Sequence, residues 1–194
     1  MKLENAKKSY ENKVVFEDLT VEFPEGEMSC LMGASGCGKT TVMRLLLGLE
    51  SPDEGQVESG SPAAAVFQEN RLCDGLDAVG NVLLADEKGK KEDALALLFA
   101  LGLEGHTEKP VRELSGGMRR RVAIARALFA PATHLFLDEP FTGLDEDTKE
   151  DVMAFVKEKC KGKTALLITH DEDEAKGMAS RFFLMENGTI AEKL

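Results

Sequence analysis

The 194-residue sequence predicts an α/β fold: a mainly parallel sheet with helices on both faces. Three observations carry this. Short apolar segments suited to buried strands recur along the chain, helical stretches separate them, and a glycine-rich loop joins an early strand to the first helix. Leu19, Val21 and Phe23 alternate with polar residues, then Pro24 and Gly26 turn the chain into an apolar segment at 28–32, which gives two early strands. The loop spans 33–38, and a helix runs from Lys39 toward Gly48. Ser51, Pro52, Asp53 and Gly55 read as a turn, and 63–68 as a short buried strand.

From 70 to 114 strand signals vanish, and 90–101 is dense in Ala and Leu, so this span reads as a helical insertion. The core resumes with a helix at 116–129 stopped by Pro131, a strand at 135–138, and a helix at 146–160 entered through the N-cap candidate Asp145. A strand at 164–169, a helix at 172–179 and two short strands meeting at Asn187-Gly188 complete the chain. At roughly 150 residues per domain this is one domain, 1–194, with core parts 1–69 and 115–194 around the insertion.

Composition narrows the function classes. With 43% hydrophobic and 30% charged residues the chain is neither collagenous nor wholly disordered. Its net charge of −11 repels nucleic acid and anionic lipid in aggregate, so any anion it binds is held locally. The longest apolar run, 94–103, is far short of a membrane span, and no signal peptide is visible. The four cysteines lack CxxC spacing, which points to a reducing cytosol rather than a disulfide framework or zinc site.

Gly33-Ala34-Ser35-Gly36-Cys37-Gly38-Lys39-Thr40 fits G-x-x-x-x-G-K-[ST], with a strand before it and a helix after it. Such a loop turns backbone amides toward phosphates, its lysine reaches the β and γ phosphates, and Thr40 offers a hydroxyl to magnesium. The strand at 135–138 ends in Asp138 and Glu139, the first placed to share a metal shell with Thr40 and the second to deprotonate water. Ser115 can cap the helix that begins at Gly116, leaving amide donors and a positive dipole end outward as an anion site. Arg119, Arg120 and Arg121, on a chain this acidic, read as a solvated, ion-paired helix face.

The stretch from Leu114 through Ser115, Gly116, Gly117 and Met118 to Ala127 resembles the signature segment, usually LSGGQ, of the nucleotide-binding subunits of ABC transporters. The other landmarks are similar in order: Gln68 resembles the Q-loop glutamine, Gly143-Leu144-Asp145 the D-loop and His170 the switch histidine. Tyr10 lies where that family has its adenine-stacking aromatic, 29 residues before Lys39. Met118 replaces the usual glutamine and Gly143 the usual alanine, and neither removes a reacting group. The run from Val66 to Leu72 is similar to that of nitrate, sulfonate and taurine importers.

The resemblance implies a P-loop NTPase core with a small antiparallel β part at the N-terminus, and an ATPase that works as a head-to-tail dimer on ATP with Mg²⁺. It implies catalytic roles for Glu139, His170 and Lys39, and metal contacts from Thr40, Gln68 and Asp138. Nucleotide contacts would come from Tyr10, residues 33–41 including Thr41, and Gln68, with Ser115, Gly116, Gly117 and Asp145 serving the partner's nucleotide. A separate membrane permease, a second ATPase subunit (a homodimer), a solute-binding protein and no nucleic acid would be its partners, at the inner face of the cell membrane. The permease contact is expected beside the insertion, at 68–72 and 76–84, where Val79, Val82, Leu83 and Leu84 offer apolar surface. Two alternatives stay open: a soluble ABC ATPase outside transport, against which the lack of tandem cassettes and basic surfaces counts, and a nucleotide sensor without turnover.

Overall fold

The computed structural model describes residues 1–11 and 13–193. In chain order the elements are β1 (Lys2–Tyr10), β2 (Lys13–Glu22), β3 (Met28–Met32), α1 (Lys39–Leu46), β4 (Glu54–Glu58), β5 (Ala63–Val66), α2 (Ala78–Leu83) and α3 (Lys91–Ala100). They continue with α4 (Gly116–Phe129), β6 (His134–Asp138), α5 (Glu146–Lys159), β7 (Thr164–Ile168), α6 (Glu172–Met178), β8 (Arg181–Glu186) and β9 (Thr189–Lys193). Six strands form one sheet in the order β5-β6-β7-β3-β8-β9, parallel throughout except for the closing β8–β9 hairpin. Its turn, Asn187-Gly188, has φ of +48° and +75°, the left-handed pair that asparagine and glycine tolerate.

Successive side chains of a strand face opposite ways, and that alternation divides the core in two. Leu135 and Leu137 of β6, Ala165 and Leu167 of β7, and Cys30 of β3 join a cluster with α2, α3, α4 and α5. Phe136, Leu166, Ile168 and Leu31 face the other way, onto Val42, Met43, Leu45 and Leu46 of α1 and onto the antiparallel sheet β2-β1-β4. The sheet is therefore covered on both faces, as a parallel sheet of apolar strands requires.

Two strands of the small sheet differ from the sequence expectation. β1 carries Lys2, Glu4, Asn5, Lys7 and Lys8, and only Leu3 and Ala6 turn inward, so it shows no apolar alternation. Asn5 adopts a left-handed φ of +48° where the β1–β4 register shifts, and β4, read as part of a turn, approaches it so closely that a Cβ on Gly55 would lie 2.3 Å from the Asn5 carbonyl oxygen. Glycine at 55 is thus set by pairing rather than by a turn.

Side-chain caps start four helices: Asp77 accepts from the Gly80 amide, Ser115 from Met118, Asp145 from Thr148 and Asp171 from Asp173 and Glu174. α1 differs, since Gly38 stands at its N-cap without a side-chain bond. Between β5 and α4, Asn81 is fully buried and ties down the preceding loop, with Oδ1 accepting from the Cys73 amide at 2.8 Å and Nδ2 donating to the Cys73 and Asp77 carbonyls. Val79, Val82, Ala94 and Leu98 of α2 and α3 share the cluster of α4. Among the described residues no helix is long and apolar enough to cross a membrane.

Because Phe136 fills the second cluster with no exposed surface, Phe136→Ala should lower unfolding stability by about 3–5 kcal/mol, read from urea unfolding. A cost under about 1 kcal/mol would mean that the β6 face is not packed as described.

Candidate active site

The parallel pairing brings Leu31 of β3 and Asp138 of β6 both opposite Ile168 of β7, so the loops after these strands leave from one edge. A cavity of about 620 Å³ opens there, walled by the 33–41 segment, Gln68, Asp138, Glu139, His170 and Tyr10. Ligands of parallel α/β sheets bind at this carboxyl edge. The loop after β3 passes so near β8 that a Cβ on Gly33, at φ +149°, would lie 2.5 Å from the Met185 carbonyl oxygen. Only glycine allows that approach. Without a side-chain cap, the first-turn amides of α1 are donors with no helical acceptor, directed at the cavity end of the helix.

Lys39 Nζ donates to the carbonyls of Gly33 and Ala34 at 2.7 and 2.9 Å, which holds its charge across the loop. Gly33, Ser35, Gly36, Gly38, Lys39, Thr40 and Thr41 line the cavity. Ala34 and Cys37 line two other grooves instead, Cys37 beside Val15 and Gly188. Tyr10 flanks the opening, its hydroxyl donating to Glu50, and Lys13, Val15 and Thr142 are wall residues that no motif pointed to.

Thr40 Oγ1 donates to Asp138 Oδ2 at 3.0 Å, and burial raises the Asp138 carboxyl above its ordinary range. A buried carboxylate and a hydroxyl in contact, with Gln68 on the same wall, form a hard-oxygen donor set of the kind that magnesium shares with phosphates and water. No group of three or more His, Cys, Asp or Glu that could hold a metal occurs among the described residues, and a magnesium site completed by phosphates does not need one.

Glu139 follows at φ +49°, unusual outside glycine, with its amide donating to the Ile168 carbonyl at 2.8 Å. Its Oε1 meets Nδ1 of His170 at 2.8 Å, and that contact raises the His170 pKa above the ordinary 6.5. Beside it, Lys149 Nζ reaches Asp171 at 3.2 Å and buried Glu174 at 3.9 Å, and Glu174 accepts from Thr169 at 2.6 Å, which fixes the turn that carries His170.

Ser115, Gly116, Gly117 and Asp145 lie outside the cavity. Ser115, Gly116 and Asp145 are exposed, and the tight spacing of Gly117 from the Gly143 carbonyl shows that the two segments adjoin. The arginine triplet corrects the sequence expectation. Arg120 is buried and Arg121 half-buried, and both bond carbonyl oxygens rather than facing solvent as ion pairs. Arg120, whose bonds reach Gln68 and Glu139, is a residue sequence reasoning missed, because three adjacent arginines read as a charged face and only the packing of α4 decides which one points inward.

A family model described as ABC transporter matches residues 16–142. The chain belongs to the ABC transporter family. The cassette is 41% identical over 185 residues to the aliphatic sulfonates import ATP-binding protein SsuB 2 of Paraburkholderia xenovorans (strain LB400), covering 94% of this chain and 75% of that one. It is 33% identical over 211 residues to the spermidine/putrescine import ATP-binding protein PotA of Mesoplasma florum, covering 99% of this chain and 60% of that one. Among solved structures it superposes with a TM-score of 0.89 and 28% identity on the dimeric post-hydrolysis state of the ATP-binding cassette MJ0796 bound to ADP and Pi, covering 99% and 97% of the two chains. It is an ATPase cassette that binds ATP, on a mainly parallel sheet with a small antiparallel sheet beside it.

The His170–Glu139 contact has a pH signature. A histidine whose folded pKa is raised contributes stability that is fully present below about 6.5 and lost as pH rises through the raised value. NMR titration of the histidines of the nucleotide-free cassette should find His170 above 6.5, and Glu139→Gln should return it toward 6.5. An unchanged His170 titration in that variant would mean the contact is absent in solution.

Proposed function

We propose that the cassette hydrolyses MgATP in a head-to-tail dimer and powers an importer through a separate membrane permease. The observation that carries the reading is the meeting of Glu139 and His170 at 2.8 Å, beside the Thr40–Asp138 pair and the loop amides. Lys39 and the first-turn amides of α1 bind the β and γ phosphates. Tyr10 stacks on the base. Glu139 accepts the proton of a water whose oxygen attacks the γ-phosphorus as the bond to the β-phosphate oxygen breaks, releasing ADP and phosphate. His170 turns its ring to the γ-phosphate once nucleotide draws it from Glu139. Thr40, Asp138 and Gln68 would hold Mg²⁺, which when bound neutralises phosphate charge.

Ser115, Gly116, Gly117 and Asp145 serve the second subunit's nucleotide. This is supported by their exposure outside the cavity, by the capped end of α4, and by the dimeric state named for the structural neighbour. Import is supported by the names of the relatives, of which the first is a sulfonate importer. With import come a solute-binding protein and a place on the cytoplasmic face of the membrane. The contact with the permease falls on 68–72 and 76–84: Val79 and Val82 pack inward, whereas Leu84 is 57% and Leu76 38% exposed.

Glu139→Gln keeps the shape of the side chain but cannot take the proton, so phosphate release should fall by about 10²–10⁴ while ATP binding persists. The ATP-loaded variant should elute as a dimer on size exclusion, and adding Ser115→Glu should return it to monomer. Hydrolysis at the wild-type rate in Glu139→Gln would remove the catalytic assignment, and a monomer with ATP bound would remove the dimer. Leu84→Glu should abolish transport in vesicles carrying the permease and leave basal hydrolysis within about twofold, as expected for a substitution at a surface position. Equal loss of both activities in folded protein would move the docking site elsewhere.

A further inference from the structure

Behind the catalytic edge lies a buried cation that takes no part in the chemistry above. Arg120, on the second turn of α4, is 3% exposed, and its guanidinium reaches two separate segments, 138–140 and 67–70. Nε donates to the Pro140 carbonyl at 2.9 Å, and Nη2 to the carbonyls of Asp138, at 2.7 Å, and Glu139. Nη1 donates to the carbonyls of Phe67 and Gln68, at 2.5 and 3.3 Å, and to Asn70 Oδ1 at 3.2 Å. Burial pulls its pKa down to about 10 against the opposing pull of Asp138, Glu139 and Glu174, so it stays charged at neutral pH.

A buried guanidinium persists only where its donors are bonded, and here all three nitrogens are. The acceptors are informative. Apart from Asn70 Oδ1 they are main-chain carbonyls at or just after the ends of β6 and β5, where Asp138, Glu139 and Gln68 line the cavity. At Glu139 the left-handed backbone is held from both sides, its amide by Ile168 and its carbonyl by Arg120. A planar fork can span these carbonyls together, which a point charge or a single amide cannot.

We propose that Arg120 is a positioning residue that locks the turn bearing Glu139, and with it Gln68, to the helix whose exposed end is Ser115. A shift of that end is thereby transmitted to the base and to the segment nearest the insertion. This rests on the assignment of Glu139 as base.

The test uses the purified cassette with phosphate release expressed per bound nucleotide, and MgATP affinity measured separately. Arg120→Met should cut turnover per bound ATP by about 10- to 100-fold with the affinity changed by less than about threefold, and Arg120→Gln, which keeps two donors, should fall between. Combined with Glu139→Gln, neither substitution should slow the enzyme further, because Arg120 acts through that side chain. Wild-type turnover per bound ATP in Arg120→Met, affinity lost in step with turnover, or a double variant slowed by the product of both effects would each overturn the proposal. Should Arg120→Met fail to fold, Arg120→Gln decides on the same readings. Wild-type hydrolysis in Glu139→Gln would fail the base assignment alone, while turnover in the single Arg120 variants still decides whether the tie matters.

Discussion

The register of three parallel strands is the constraint on which the rest of the cassette depends. With Leu31 and Asp138 both opposite Ile168, β3, β6 and β7 end together, and the residues that follow them, Gly33, Glu139 and His170, share one cavity. Slipping one strand by a residue would exchange its two faces, sending Phe136 toward α4 and Leu135 toward α1. Both apolar clusters therefore defend the register, and through it the distance between Glu139 and His170. The packing that stabilises the fold is the same packing that aligns the chemistry.

That edge must hold a highly charged anion in a chain of net charge −11. Lys39 is pinned across its own loop by the carbonyls of Gly33 and Ala34, so its charge is already ordered before a ligand arrives. The amides at the start of α1 add partial charge that cannot be lost to titration. On the other side Asp138 and Glu139 are adjacent carboxylates, and the Arg120 guanidinium behind them opposes their repulsion without occupying the cavity. Attraction for phosphate and tolerance of the acidic pair thus come from different cations.

What could be read from the sequence follows from how local each signal is. The phosphate loop, the caps Ser115 and Asp145 and the apolar strands β3, β6 and β7 are written in adjacent residues, so their spacing sufficed. β1 and β4 were invisible because each has one polar face and a distortion, at Asn5 and Gly55, that makes sense only when the two are paired. The same holds at 63–68, where the strand ends at Val66 because the next two carbonyls bond Arg120 rather than β6. Arg120 itself could not be told from Arg119 and Arg121, since burial depends on how α4 lies against the sheet and not on the triplet.

The two helix starts that point to phosphate differ in a way that bears on how the cassette works alone. α1 begins at Gly38, with no side chain to satisfy its amides, and these lie within the chain's own cavity next to Lys39. α4 begins at Ser115, whose hydroxyl already accepts from Met118, and its end is exposed beyond that cavity. An uncapped end leaves donors to be satisfied by ligand, whereas a capped and hydrated end is stable unliganded. In the proposed mechanism the first therefore binds nucleotide in a single chain, and the second waits for an anion brought by something else. On the proposed tie through Arg120, which bonds the turn that carries Glu139, arrival at the waiting end is felt at the nucleotide site through a handful of hydrogen bonds to the main chain.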